Sequence, residues 1–320
     1  MSTEGGTRAI IAALFANLGI AITKFIAYLI SGSSSMLAES VHSLADAGNQ
    51  VLLLIGGRRA RREATPEHPF GYGRERYVYA FVVSIVLFSV GGMFSIYEGV
   101  HKIQHPEPIT NIAVPIVVLL VAIVMESFSL RTAVVESNRV RGRQSWVQFV
   151  RRAKAPELPV VLLEDIAALF GLVLALIAVS TAGITGNALW DGIGTITIGV
   201  LLVVIAFILG VETKSLLVGE GANPVDVRSI QMAIEAGDDI NRVIHMKTLY
   251  VGPDELLVAA KVATTPGATG AEVSRWIDAA EARIRAAVTV DCLIYLEPAV
   301  FESGKSPSDG GRPPRPVTDG

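Results

Sequence analysis

The chain has 320 residues, of which 51% are apolar and 18% are charged, and its formal net charge is −3. A net charge this small argues against the strongly basic surface of a nucleic-acid-binding protein. The single cysteine excludes an internal disulfide and a cysteine-based metal cluster. The mean hydropathy of +0.50 is high for a soluble protein.

The apolar residues are concentrated in six stretches before residue 214. Each stretch has about 20 residues or more, which is the length needed to cross the hydrocarbon core of a bilayer. The stretches occupy 8–31, 35–57, 77–100, 111–135, 158–181 and 189–212. The sequence therefore predicts a membrane all-α domain over 1–213, in which a bundle of six transmembrane helices lies in the lipid bilayer.

The segments that join these stretches differ in charge. Segments 58–76 and 136–157 are rich in arginine, whereas the other three connections hold one basic residue, Lys102. Basic segments stay on the cytoplasmic side of a membrane, so both termini are predicted to be cytoplasmic. The lack of a recognisable targeting segment and the abundance of Ala, Val and Arg favour a bacterial cytoplasmic membrane.

Beyond residue 213 the pattern is typical of a small soluble domain. It predicts a helix, two strands, a helix and a strand over 223–237, 242–251, 255–264, 270–287 and 289–297. Asn223 is expected to cap the first of these helices, with Pro224 at its first position. The αββαβ order predicts a two-layer α+β domain over 214–300, followed by a disordered tail over 301–320.

Ionisable residues inside the apolar stretches are candidates for function, because burying them in a membrane is costly. His42 and Asp46 are four residues apart and share one helix face. They could therefore bind a cation, or they could form a hydrogen bond that joins two helices. Asp165 lies at a similar depth in the fifth stretch and favours the cation site. On an ideal helix its neighbour Glu164 points about 100° away from Asp165. Glu164 is therefore a candidate helper at the cation site or a partner of Lys24.

Other ionisable residues have weaker signals. Glu126 either relays protons or pairs with Arg131. His101 and His105 also share a helix face near the end of the third stretch, where they either bind metal or simply contact water. His68 lies in a Gly- and aromatic-rich segment and is a candidate for a peripheral metal site.

Four motifs together resemble the cation diffusion facilitator family across about 8–300. They are AlaGluSerValHisSerLeuAlaAsp (38–46), HisProPheGlyTyrGlyArgGluArg (68–76), HisProGluPro (105–108) and AlaLeuTrpAspGlyIleGly (188–194). The resemblance implies a homodimeric antiporter of divalent metal and protons with a cytoplasmic ferredoxin-like domain. It implies no prosthetic group.

The resemblance also implies a central metal site. His42, Asp46 and Asp165 match family ligands, but the fourth family position is Val161, which cannot bind metal. Water, Glu164 or Asn49 are then the candidates for the fourth ligand. The run LeuLeuGluAspIleAlaAla (162–168) is most similar to the family branch that includes zinc transporter nine.

The accessory metal sites of the family match this sequence only in part. His68 matches a ligand of the connecting loop, but the next expected histidine is Tyr72. His245 and Glu297 match positions of a metal site in the tail, where other expected ligands are missing. Sensing of cytosolic metal is therefore not expected.

Taken with the resemblance, the residues predict a transporter, not an enzyme, that moves Zn²⁺ out of the cytosol in exchange for protons. Mn²⁺, Fe²⁺ and Co²⁺ are alternative substrates, because one imidazole among carboxylates also suits them. A non-transporting scaffold or metal-responsive regulator with the same fold is the alternative function, and the Val161 gap favours it.

Overall fold

The computed structural model describes residues 3–106, 111–237 and 240–300. The chain divides by its internal packing into a helical unit, which ends at Val218, and a small unit with a sheet, which begins at Gly219. The predicted disordered tail over 301–320 lies outside the described residues.

The helical unit is built from long helices that follow the predicted apolar stretches. A π-helical segment, Leu87–Met93, joins the third and fourth helices into one continuous rod. The helices in the described part are α1 (Thr3–Ser31), α2 (Ser34–Arg59), α3 (Glu75–Val86), α4 (Phe94–Gln104), α5 (Ala113–Arg141), α6 (Trp146–Arg152), α7 (Glu157–Thr185) and α8 (Leu189–Val218).

Four of these elements are long and apolar enough to cross a membrane: the α3–α4 rod, α5, α7 and α8. The chain is therefore a multi-pass membrane protein, although the described residues do not show all six predicted spans. Helix α2 has 26 residues, which is enough length, but buried Glu39, His42, Asp46 and Asn49 lower its hydropathy. The described apolar part of α1 covers Asn17–Ser31.

The segment 136–157, predicted to be a connection, contains additional helix. Helix α5 continues to Arg141, and α6 forms after it. A reciprocal cap starts α6, because Ser145 Oγ accepts a hydrogen bond from Gln148 N and Gln148 Oε1 accepts one from Ser145 N, both at 3.2 Å. The Ser-x-x-Gln spacing is the sequence signal for such a cap.

Paired glycines bring the α3–α4 rod against α8. A Cβ on Gly99 would lie 2.7 Å from the carbonyl oxygen of Gly192, and one on Gly199 would lie 2.8 Å from that of Gly92. Small residues of this kind let membrane helices pack backbone against backbone. The two pairs therefore fix the distance between the rod and α8.

Gly99→Ala should destabilise the protein by about 1–3 kcal/mol, the usual cost of overpacking a tight contact. The new methyl group would meet Ile196 N at 2.8 Å, so backbone would have to move. Thermal unfolding in detergent measures the effect. Gly57→Ala on α2 is the matched control, because no atom lies within 4 Å of its Cβ position. Equal melting temperatures for the two variants would contradict this packing.

The small unit contains α9 (Pro224–Glu235), β1 (Ile240–Gly252), β2 (Glu255–Thr264), α10 (Gly270–Ala287) and β3 (Asp291–Val300). Strand β2 is central, antiparallel to β1 and parallel to β3. Asn223 caps α9, as predicted, by accepting hydrogen bonds from Val225 N and Asp226 N. The two helices and the sheet share one core, formed by Ile230, Ile234, Ile240, Tyr250, Leu256, Val258, Ala260, Val262, Ala280 and Ile284.

Candidate metal site in the helical unit

The start of α2 is fixed by a buried carboxylate from α8. Asp191, which is fully buried, accepts hydrogen bonds from Ser33 Oγ at 3.0 Å, Ser34 N at 2.8 Å and Ser35 N at 3.3 Å. A carboxylate at a helix N-terminus satisfies free N–H groups and opposes the helix dipole. No role was predicted for Asp191, and the serine run at 33–35 indicates only that a helix begins there. This contact sets the depth of the polar residues further along α2.

His42 and Asp46 lie on the buried face of α2, with only 1% and 4% of their surfaces exposed. His42 Nδ1 and Asp46 Oδ1 are 3.5 Å apart. Neither ring nitrogen of His42, nor Asp46 Oδ1, has a hydrogen-bond partner within the described part of the chain. Buried polar atoms without partners are costly. This arrangement favours a cation site over a His42–Asp46 hydrogen bond that joins two helices.

Helix α7 presents Glu164, not Asp165, to this face of α2. Glu164 Oε1 accepts a hydrogen bond of 2.7 Å from Asn49 Nδ2, which lies about one turn along α2 from Asp46. Asp165 turns towards α5, where Ser129 Oγ donates to its Oδ2 at 3.0 Å. Adjacent helical residues point about 100° apart, so the two carboxylates serve different neighbours.

Lys24 forms a buried ion pair beside this cluster. Its Nζ donates to Glu39 Oε2 at 3.0 Å and to Ser43 Oγ at 2.8 Å. The side chains of Lys24 and Glu39 are 1% and 0% exposed. The suggested pairing of Lys24 with Glu164 is therefore wrong, because Glu39 lies on the face of α2 that packs against α1. Glu39, whose charge Lys24 neutralises, lies about one turn along α2 from His42.

The central cluster, formed by His42, Asp46 and Asn49 on α2 and Glu164 on α7, is not a complete metal site in this conformation. Among the residues that the structure describes, no group of three or more His, Cys, Asp and Glu side chains could hold one metal ion together. Three buried side chains nevertheless lie near one another and near His42, because Asp46 and Asn49 are about one turn apart on α2 and Asn49 bonds Glu164. Metal binding would require these side chains to draw closer together.

His68 lies at an ordered turn of the segment after α2, with its side chain exposed. Its backbone exchanges two hydrogen bonds with Thr65, of 3.0 and 3.2 Å. The ring of Tyr72, which stands where the family resemblance expects histidine, packs on the His68 ring at 4.6 Å between centroids. An aromatic contact therefore occupies the place of a second ligand, and the peripheral metal site stays a prediction.

His245 and Glu297 lie on the two outer strands, with Lys261 between them on β2. Lys261 is in register with both residues, and its Nζ donates to Glu297 Oε1 at 2.8 Å. This ammonium holds the pKa of the Glu297 carboxyl below its usual value. Two strand spacings separate the outer residues by about 10 Å, so the sheet does not bring His245 and Glu297 together.

A family model described as the cation efflux transmembrane domain matches residues 10–218, which include α2, α7 and α8. The chain belongs to the cation efflux family. Members of this family are transporters, so this protein is not an enzyme. A cluster of buried, unpartnered polar atoms between two helices is the kind of feature that a cation pathway needs.

Three relatives show how far the similarity extends. The mitochondrial proton-coupled zinc antiporter SLC30A9 of Xenopus laevis is 32% identical over 266 residues, 82% of this chain and 47% of its own length. Metal tolerance protein C4 of Arabidopsis thaliana is 28% identical over 82% of this chain and 58% of its own. The cation-efflux pump FieF of Klebsiella pneumoniae is 24% identical over 78% of this chain and 79% of its own. The chain thus spans about half the length of the first of these relatives.

Proposed function

We propose that this protein exports a divalent metal cation, with zinc as the main substrate, from the cytosol in exchange for protons. The observation that carries the proposal is the buried pair of His42 and Asp46, whose ring nitrogens and Oδ1 have no hydrogen-bond partner in the described residues. The names of the relatives, a proton-coupled zinc antiporter and a cation-efflux pump, support the same chemistry.

Four side chains would supply the metal ligands: His42, Asp46, Glu164 and Asn49. Zinc is usually held by four nitrogen, oxygen or sulfur ligands at about 2.0–2.3 Å. Glu164 takes the role that the sequence predicts for Asp165, because only Glu164 faces α2. Mn²⁺, Fe²⁺ and Co²⁺ remain alternative substrates, since three of the four ligands are oxygens.

The same residues would couple the metal to protons. Metal ligands must be deprotonated, so binding releases protons and acidification releases the metal. Glu164 bonds Asn49, about one turn along α2 from Asp46, so two buried carboxyl groups lie near each other. Two such carboxylates repel each other, and a proton or a cation between them relieves the repulsion. Exchange of one for the other, with access alternating between the two sides of the membrane, gives antiport.

The proposed topology has six spans, with α1 and α2 as the first two. Arginines cluster at one end of the helices, at Arg58 and Arg59 in the last turn of α2 and at Arg151 and Arg152 in α6. Basic residues favour the cytoplasmic side, so we place this end and both termini there. A homodimer in a bacterial cytoplasmic membrane, with a ferredoxin-like cytoplasmic domain, completes the proposal.

Metal uptake into vesicles that contain the purified protein tests the proposed function. Zinc should enter when a pH gradient is imposed, and a panel with Mn²⁺, Fe²⁺ and Co²⁺ ranks the substrates. The open ligand cluster favours a second candidate, a scaffold or metal-responsive regulator without transport. Absence of flux for every metal in the panel would support that candidate and reject export.

A further inference from the structure

Two histidines stand one turn apart at the end of α4. His101 lies in the last turn of the helix and His105 caps it, with His105 N donating to His101 O at 2.9 Å. Their ring centroids are 4.8 Å apart and the ring planes are inclined by 33°. Both side chains are exposed. The backbone hydrogen bond therefore holds two accessible imidazoles side by side.

One neighbouring ring stacks on the pair, and the nearest lysine in sequence bonds elsewhere. Tyr97, one turn earlier, stacks on the His101 ring at 6.4 Å between centroids. Lys102 lies between the two histidines in sequence, but its side chain is buried, with 5% exposure, and its Nζ donates to Gly32 O at 3.0 Å. The nearest cation in sequence is therefore tied to the α1–α2 turn and does not cover the imidazoles.

We propose that His101 and His105 form a second divalent-metal site, separate from the cluster on α2 and α7. Residues four apart on a helix have Cβ atoms about 5–6 Å apart, from which two imidazole nitrogens can reach one ion at about 2.0–2.1 Å. Water fills the remaining positions. Imidazole ligands select Zn²⁺, Cu²⁺ or Ni²⁺ over Mg²⁺ and Ca²⁺.

This site is distant from the central cluster. The rod passes His42 at Gly91, whose Cβ position is 3.9 Å from His42 Nδ1. Ten residues of helix separate Gly91 from His101, a rise of about 15 Å. The pair lies at the end of the rod away from the arginine-rich segment before α3. Its place on the releasing side rests on the proposed orientation, whereas binding itself does not.

Zinc titration of the full-length protein in detergent tests the site by calorimetry. His101→Ala/His105→Ala should lose one equivalent of bound zinc relative to the unsubstituted chain. Gln104→Ala, at an exposed position between the two histidines, is the matched control and should lose none. The same number of equivalents in all three proteins would overturn the proposal.

A spectroscopic measurement separates this site from the central one. Asp46→Asn weakens the central cluster, so Cu²⁺ added to this variant should report on the histidine pair. Its electron paramagnetic resonance spectrum should show coupling to imidazole nitrogen, and adding His101→Ala should weaken that coupling, because one of the two imidazoles of the pair is then lost. A spectrum without nitrogen coupling in Asp46→Asn, or one that His101→Ala leaves unchanged, would refute the site.

Discussion

Asp46→Asn should lower metal transport by about a hundredfold or more. The substitution keeps the size of the side chain but removes a buried negative charge, so a divalent ion would enter a low-dielectric site with less compensation. Glu164→Gln should have an effect of the same size. The two carboxylates act on one ion, so the double variant should be little worse than either single variant. Initial rates of zinc uptake into vesicles, at equal protein content, measure all three.

Asp165→Asn is the control for this prediction. Asp165 bonds Ser129 on α5, so its neutral form should retain much of the transport. The family resemblance predicts the opposite ranking, with Asp165 as ligand and Glu164 as helper. If Asp165→Asn is inactive while Glu164→Gln transports at the normal rate, Asp165 is the ligand, as the family motif predicts. The assignment of Glu164 from the orientation of α7 would then be wrong.

Lys24→Met should destabilise the helical unit by about 3–5 kcal/mol, the usual cost of breaking a buried ion pair. The change removes the ammonium that neutralises Glu39, whose side chain is 0% exposed. Ser43 Oγ would also lose its donor. A large drop in melting temperature in detergent, with a lower yield of folded protein, is the expected result.

The double variant Lys24→Met/Glu39→Met distinguishes charge from packing. Replacing a buried ion pair by apolar side chains of similar size is often neutral, so the second substitution should restore most of the stability. If the double variant is as unstable as Lys24→Met alone, the loss comes from packing around the lysine stem. Stability unchanged in Lys24→Met would show that the pair does not hold α1 to α2.

The helices could be predicted from the sequence because apolar length is a local property. The predicted stretch 158–181 is part of α7, and α7 extends from Glu157 to Thr185. Helix α6 was missed because its only local signal is the cap formed by Ser145 and Gln148. Helix α2 illustrates the limit of hydropathy, since the polar residues that make it a candidate site also make it look less like a span.

The site could be predicted only in part, because orientation depends on tertiary packing. Sequence spacing places His42 and Asp46 on one face of α2, and the structure shows that this face is buried. No local pattern decides which of Glu164 and Asp165 turns towards α2. The position of Lys261 between His245 and Glu297 depends on strand order and register, which residue types alone do not specify.

The central claim is that metal and protons exchange through one site, and a pH indicator trapped inside acid-loaded vesicles tests it most directly. Zinc added outside should enter while the interior becomes more alkaline, with a constant ratio of protons to zinc. Both signals should disappear together in Asp46→Asn. Zinc entry at the same rate with no change of internal pH would contradict the account.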